Sequence, residues 1–131
     1  MENRYLYRGK RIDNGEWVEG YLAYPFCTEK GNESYYFYAK DSLDFFCRCV
    51  VDASTICQCT GLKDKNGKLI WENDIVEISR EHGCFIVEWQ EDDAMWAVTQ
   101  CGVIVGNFYN YWGYELEVIG NIFDNQELLE A

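Results

Sequence analysis

The sequence is short of several things that would decide its class. It has one proline, Pro25, and one histidine, His82, and from Leu69 to Ala131 its only basic residue is Arg80. A single proline leaves no Pro-rich linker to divide the chain. A single histidine, two residues from Cys84 across Gly83, is poorly placed for a Cys–His dyad, which needs hydrogen-bond reach and an orienting third group. It reads as a solvated turn residue. No GxSxG, P-loop or HExxH pattern occurs. No stretch approaches the roughly 18 consecutive apolar residues of a membrane helix. The opening MENRYLYRGKRIDNGEW scatters charges among Tyr and Leu where a secretory signal has an apolar run. Seven cysteines are an odd number, and without such a signal they indicate a reducing cytoplasm, not a disulfide framework.

Helical periodicity is also nearly absent; the chain reads as short strands. Of its 131 residues 48% are hydrophobic and 17% aromatic, enough to fill a core and to exclude disorder. Runs rich in Tyr, Phe, Val, Ile and Trp predict strands at 17–24, 34–39, 44–51, 55–60, 74–78, 84–90, 95–101, 103–108 and 116–122. Residues 74–78 alternate polar and apolar side chains, as a strand with one buried face does, whereas 85–89 are apolar enough to be buried on both sides. Asn14-Gly15 and Asn66-Gly67 predict type I′ hairpin turns, and the remaining glycines mark turns or bulges. Only 124–130, with Asp124 as cap, suggests a short helix.

The formal charge of −12 is unevenly held. Residues 1–68 carry ten basic and ten acidic residues and are neutral; residues 69–131 set one basic residue against thirteen acids, which is the whole −12. The Lys63–Lys68 turn, where the balance changes, is the expected seam between an N-terminal lobe, 1–62, and a C-terminal lobe, 69–131. Phosphate binding depends on clustered Lys and Arg, so direct nucleic-acid binding is disfavoured. The only basic cluster is Arg4, Arg8, Lys10 and Arg11.

Four blocks, in order, carry a resemblance. They are RGKRIDNGEWVEGYL (8–22), TGLKDKNGKLIWENDIV (60–76), FIVEW (85–89) and VIGNIFDN (118–125). The chain resembles the YopX family of phage and prophage proteins along essentially its full length. The resemblance implies a small all-β protein of mixed barrel and sandwich character with a C-terminal SH3-like barrel, and it supplies no catalytic residue. Asn73 stands where the family pattern commonly has Gly, a mild departure because Asn also tolerates a left-handed turn.

The sharpest local pattern is Cys47-Arg48-Cys49 with Cys57-Gln58-Cys59. A hairpin about residues 52–54 would oppose Cys47 to Cys59 and Cys49 to Cys57, with Cβ atoms about 4.5–5.5 Å apart. Four thiols on one face invite a zinc reading. It ranks below buried small hydrophobes, because zinc knuckles use a turn to converge their sulfurs and a strand does not. Glu91, Asp92 and Asp93 read as a solvated hairpin tip before they read as a cation site. Tyr109, Tyr111, Trp112 and Tyr114, with a second cluster at Tyr35-Tyr36-Phe37-Tyr38, supply rings for a core or for an interface. With no cofactor implied and no nucleophile with its base, the expectation is a non-enzymatic module. It would bind a protein partner, preferentially a basic one, through Glu91, Asp92, Asp93 and the 109–114 aromatics. Self-association into a homo-oligomer is another use of such a surface, and nucleic-acid association through the basic cluster is the alternative.

Overall fold

A computed structural model describes residues 5–40, 48–79, 83–107 and 115–130. Eleven strands are present among them: β1 (Tyr7–Lys10), β2 (Trp17–Cys27), β3 (Ser34–Ala39), β4 (Arg48–Asp52), β5 (Cys57–Lys63), β6 (Leu69–Trp71), β7 (Asp74–Ile78), β8 (Phe85–Gln90), β9 (Met95–Gln100), β10 (Val103–Asn107) and β11 (Leu116–Asn121). Two short 3-10 helices, Ala53–Thr55 and Gln126–Leu129, lie among the described residues beside the strands, so the all-β class holds. The strands form two antiparallel sheets, in the orders β4-β3-β2-β1-β5-β6 and β10-β9-β8-β7-β11. The chain divides into two compact units, Met1–Cys59 and Thr60–Ala131. The division falls within β5, not at the Lys63–Lys68 turn, because that turn is a hairpin joining β5 to β6 inside the second unit.

In the first unit, β1 and β2 pair through Tyr7↔Gly20 and Lys10↔Trp17, and β3 lies against the other side of β2. The two strands approach so closely at Gly20↔Ala39 that a Cβ on Gly20 would overlap the Tyr38 carbonyl oxygen outright and lie 2.9 Å from its carbon. Beyond Gly20 the first edge of β2 is no longer paired with β1. Pro25 therefore does not end the strand: it sits at a register irregularity, where its missing N–H breaks no ladder bond, and β2 runs on to Cys27. Phe37, Val51, Leu6 and Cys57 are buried.

The second unit has a more regular core. Val76 and Ile78 on β7, Phe85 and Val87 on β8, Val98 on β9 and Leu116 on β11 alternate onto one face, where Ile70 of β6 joins them. Val87 faces Val98, and Ile78 faces Leu116. β7 buries Ile75 as well as Val76, so its pattern is less strictly one-sided than its alternation suggests. On β8 the reverse holds: Phe85 and Val87 are buried, but Trp89 emerges and meets Trp96 edge-on, ring centroids 5.2 Å apart. The five-stranded sheet does not close into the SH3-like barrel that the resemblance implies. β10 and β11 end the five-stranded order, and no pairing joins them among the described residues.

The block TGLKDKNGK builds a clamp. Asp64, only 6% exposed, accepts at Oδ1 from the backbone N–H groups of Asn66 and Lys68, both 2.9 Å, and at Oδ2 from Val118 N–H, 2.9 Å. One carboxylate thus shapes the hairpin and fastens it to β11. Lys65 N–H donates to the Leu116 carbonyl alongside, 2.9 Å. Burial raises the Asp64 pKa, but the donors from Val118, Lys68 and Asn66 outweigh it and hold the carboxyl below the usual range.

Turn chemistry departs from expectation in an instructive way. Gly67 and Gly15 take positive φ, but Asn66 and Asn14 do not, so both loops are longer than the type I′ turn. The Lys65-Asn66-Gly67 loop is closed by Gly67 N–H to Asp64 and Asp64 N–H to Lys68 carbonyls. The two-residue turn occurs instead between β9 and β10, where Cys101 (φ 53°) and Gly102 (φ 79°) are both left-handed and Gln100 faces Val103. Asn73 is left-handed, as its position in the motif suggests, and so is Ala94 at the β8–β9 turn (φ 50°). Ala94→Gly is expected to raise the unfolding free energy by about 0.5–1 kcal/mol, since Ala pays a steric cost there that Gly does not. Urea melts measure this, and an unchanged or lower midpoint would contradict strain at Ala94. The terminal 3-10 helix is not capped by Asp124. Its cap position is Asn125, whose Oδ1 is turned instead to Asn121 N–H, 3.2 Å.

Candidate functional site

Several residues singled out in the sequence, Tyr109, Tyr111, Trp112 and Tyr114 together with Cys47 and His82, lie outside the described residues. Glu91, Asp92 and Asp93 form the exposed tip between β8 and β9, as expected of solvated acids at a turn.

The cysteine hairpin does not form. β4 pairs with β3, placing Cys49 opposite Phe37, while β5 pairs with β1, placing Cys57 opposite Arg8. The Ala53–Thr55 helix turns the chain away between them, so Cys49 and Cys57 are not cross-strand partners. Cys57 and Cys59 are buried, and Cys57 Sγ donates to the Thr55 carbonyl, 3.3 Å. Burial also pushes the Cys49 thiol up, against the opposing pull of Arg11, which disfavours the thiolate a metal requires.

Of the basic cluster, Arg4 lies outside the described residues, and the other three have partners within the chain. Strand alternation places Arg8 and Lys10 on one face of β1, and both lie over Trp17 of β2, 4.7 Å and 5.4 Å from the ring centroid. Arg11 donates to Asp13 through Nε, 3.1 Å, and Nη2, 2.8 Å; the pairing raises the arginine's pKa and lowers that of the aspartate. These contacts use the cationic groups within the chain instead of aligning them for a phosphate backbone.

Aromatic side chains of the first unit separate into two roles. Phe37 is fully buried, whereas Tyr36 joins Tyr24 and Phe26 in an exposed cluster with centroid distances of 4.9 and 5.2 Å. Arg48 lies 4.5 Å over Tyr36 and donates to the Tyr24 hydroxyl.

Among the described residues, the most exposed apolar strand segment belongs to the second unit and was not among the sequence candidates. Val103, Ile104 and Val105 of β10 are 65%, 45% and 39% exposed. Three consecutive exposed residues mean that neither face of the strand is covered, and β10 is also the terminal strand of its sheet. The sequence marks 103–108 only as a strand; topology places it at an edge. In a two-residue hairpin the residues flanking the turn, Gln100 and Val103, exchange the ladder bonds. The N–H and C=O of Ile104 consequently point away from β9, to the edge that no described strand pairs.

The profile of the YopX protein family matches residues 6–130. The chain belongs to the YopX family. The solved structure of protein EF1440 from Enterococcus faecalis is similar across 94% of this chain and 96% of that one, at 20% identity and a TM-score of 0.52, which supports a shared fold. Among curated proteins none matches. The YopX blocks recognised in the sequence fall on scaffold: Asp64 and Gly67 on the clamp, Asn73 on a left-handed turn, Gly20 on the β2–β3 approach. Asn121 closes the last block by accepting from Phe123 and Asp124 N–H, 2.9 and 3.0 Å. No helix among the described residues is long and apolar enough to cross a membrane.

Proposed function

We propose that this YopX-family chain is a non-enzymatic protein-interaction module, a phage or prophage accessory protein of the bacterial cytoplasm that adds an extended segment of a partner protein to β10. The observation that carries the reading is the edge strand with Val103, Ile104 and Val105 exposed. Strand addition draws its affinity from main-chain hydrogen bonds and its selectivity from alternate side-chain contacts. Charge supports a basic partner: residues 60–131 contain fourteen acids and four basic residues. Glu91, Asp92 and Asp93 at the β8–β9 tip add to that field, which acts chiefly on encounter rate and partner choice.

Ile104→Pro tests this reading without touching the β9 ladder, because the N–H it removes faces the open edge. Cross-linking in bacterial lysate followed by mass spectrometry is expected to recover a basic protein with the wild type, less of it as salt shortens the Debye length, and none with Ile104→Pro. Equal recovery by the folded variant would remove β10 from the interaction. Recovery of a second copy alone would assign the edge to self-association.

A further inference from the structure

Register and ring contacts together put aromatic and cationic side chains of the first unit on one face. Across β1 and β2, Lys10 pairs with Trp17 and Arg8 with Glu19. Across β2 and β3, Tyr21 pairs with Tyr38; across β3 and β4, Tyr36 pairs with Val50 and Tyr38 with Arg48. Directly opposed residues share a face, as do positions two apart on a strand, so these pairs form one continuous surface. Phe37 and Val51, at the intervening positions, point the other way and are buried. Side-chain contacts agree: Arg8 and Lys10 lie over Trp17, and Arg48 lies over Tyr36. Past the register irregularity of β2, Tyr24 and Phe26 also reach Tyr36, and these two rings are 43% and 53% exposed.

The charge of this face differs from that of the chain. Arg8, Lys10, Lys40 and Arg48 stand on it against two acids: Glu19, which pairs with Lys40, and Asp52, which accepts from the Ser54 N–H and hydroxyl. Most of the acidic excess belongs to residues 60–131, whereas 1–59 hold seven basic and nine acidic residues. We propose that this face of the first unit binds single-stranded nucleic acid, with bases stacked on its rings and phosphates held by its cations. The site goes beyond the β10 edge and is independent of it. A ring that takes a guanidinium over its plane takes a base in the same way, and a base also stacks on the guanidinium itself. A duplex fits the face poorly. Its bases are already stacked on one another, and the N-terminal cations, drawn over Trp17, make no row along which its phosphates could lie. A single strand offers unstacked bases and is held by rings with cations set among them, which is the arrangement on this face.

Fluorescence anisotropy with the full chain tests this, using labelled oligothymidylate and oligouridylate of about 12 nucleotides and a DNA duplex of the same length. Binding of either single strand at about 50 mM salt supports the proposal, a difference between the two reporting contact with the 2′-hydroxyl, and the duplex is expected to bind at least about tenfold more weakly. Tyr36→Ala is expected to lower the affinity about tenfold and Tyr36→Phe to retain it. Phe26→Ala removes an exposed ring without opening the core, so its expected loss, about three- to tenfold, keeps the test decisive where Tyr36→Ala fails to fold. With at most four cations engaged, log K is expected to fall against log salt with a slope no steeper than about −3, and Arg48→Gln to flatten that slope by about 0.7. Ile104→Pro, which bears on the β10 edge alone, is expected to bind the oligonucleotide as the wild type does. No binding with the chain at about 100 μM, or unchanged affinity in the folded Tyr36→Ala and Phe26→Ala variants, would overturn the proposal. So would oligonucleotides that never bind while the same variants lose a protein from lysate, which would assign the face to a protein partner.

Discussion

An alanine at Gly20 is expected to cost at least about 3 kcal/mol and to lower the melting temperature by about 10 °C or more. The side chain added is one methyl group, and its size is not the issue. Its position is occupied by the Tyr38 carbonyl group and flanked by the Ala39 Cα at 3.1 Å, all backbone, so no rotamer change relieves the overlap. β3 must move away from β2, and the Gly20↔Ala39 and Tyr21↔Tyr38 pairs go with it. Gly15→Ala is the matching control. A Cβ there meets nothing within 4 Å, and the backbone alone objects, through a φ of 73°. That variant is expected to lose only about 1–2 kcal/mol. Thermal melts of both proteins decide the matter: equal losses would mean that close approach is not what selects glycine at position 20.

Asp64→Asn is expected to lose about 2–3 kcal/mol at neutral pH despite its near-identical shape. Asn can still offer one oxygen to the Asn66 and Lys68 N–H groups. Its amide nitrogen then faces the Val118 N–H, donor against donor, where the carboxylate had accepted at 2.9 Å. The pH dependence separates this cause from mere packing. A carboxyl held below its usual value stabilises the folded chain fully above the unfolded pKa, about 3.9, and that contribution disappears as pH falls through the folded value. The difference in unfolding free energy between wild type and Asp64→Asn is therefore expected to be full at pH 7 and to narrow below about pH 4. Denaturant melts across that range measure it. A gap that persists unchanged into strong acid would show that the charge of Asp64 is not what fastens the clamp.

Much of the fold could be read from residues alone where local chemistry and tertiary packing agree. Ser34–Ala39 and Asp74–Ile78 carry β-branched or aromatic residues between polar punctuation, and the structure places strands at those limits. β1 was hidden because Arg8 and Lys10 read as a charge cluster; their use over Trp17 depends on β2, to which no local window has access. β6 has three residues, too few to show a period. The turns erred for a related reason. Asn-Gly favours the two-residue turn, but the Asp64 carboxylate stabilises a longer loop over Asn66-Gly67, while the short turn falls to Cys101-Gly102, where composition gives little sign. The candidate surface was harder still. Hydrophobicity marks Val103–Val105 as a strand equally well at an edge or in the interior, and the difference lies in strand order. The same is true of the cysteines. Spacing drew attention to Cys49 and Cys57 as partners, whereas register, which spacing does not encode, sets them opposite Phe37 and Arg8.

The Asp64 clamp also sets an order of events. Its two nearby donors come from residues within four positions, so the hairpin can satisfy half of the carboxylate as soon as the Asn66-Gly67 loop closes. The third comes from Val118, 54 residues away, and the entropy of that long closure must be spent before the last hydrogen bond returns anything. Until β11 has been synthesised and laid against β7, Asp64 remains a hydrated anion on a short, marginal hairpin. The most specific stretch of the sequence is thus satisfied only when the sheet is complete.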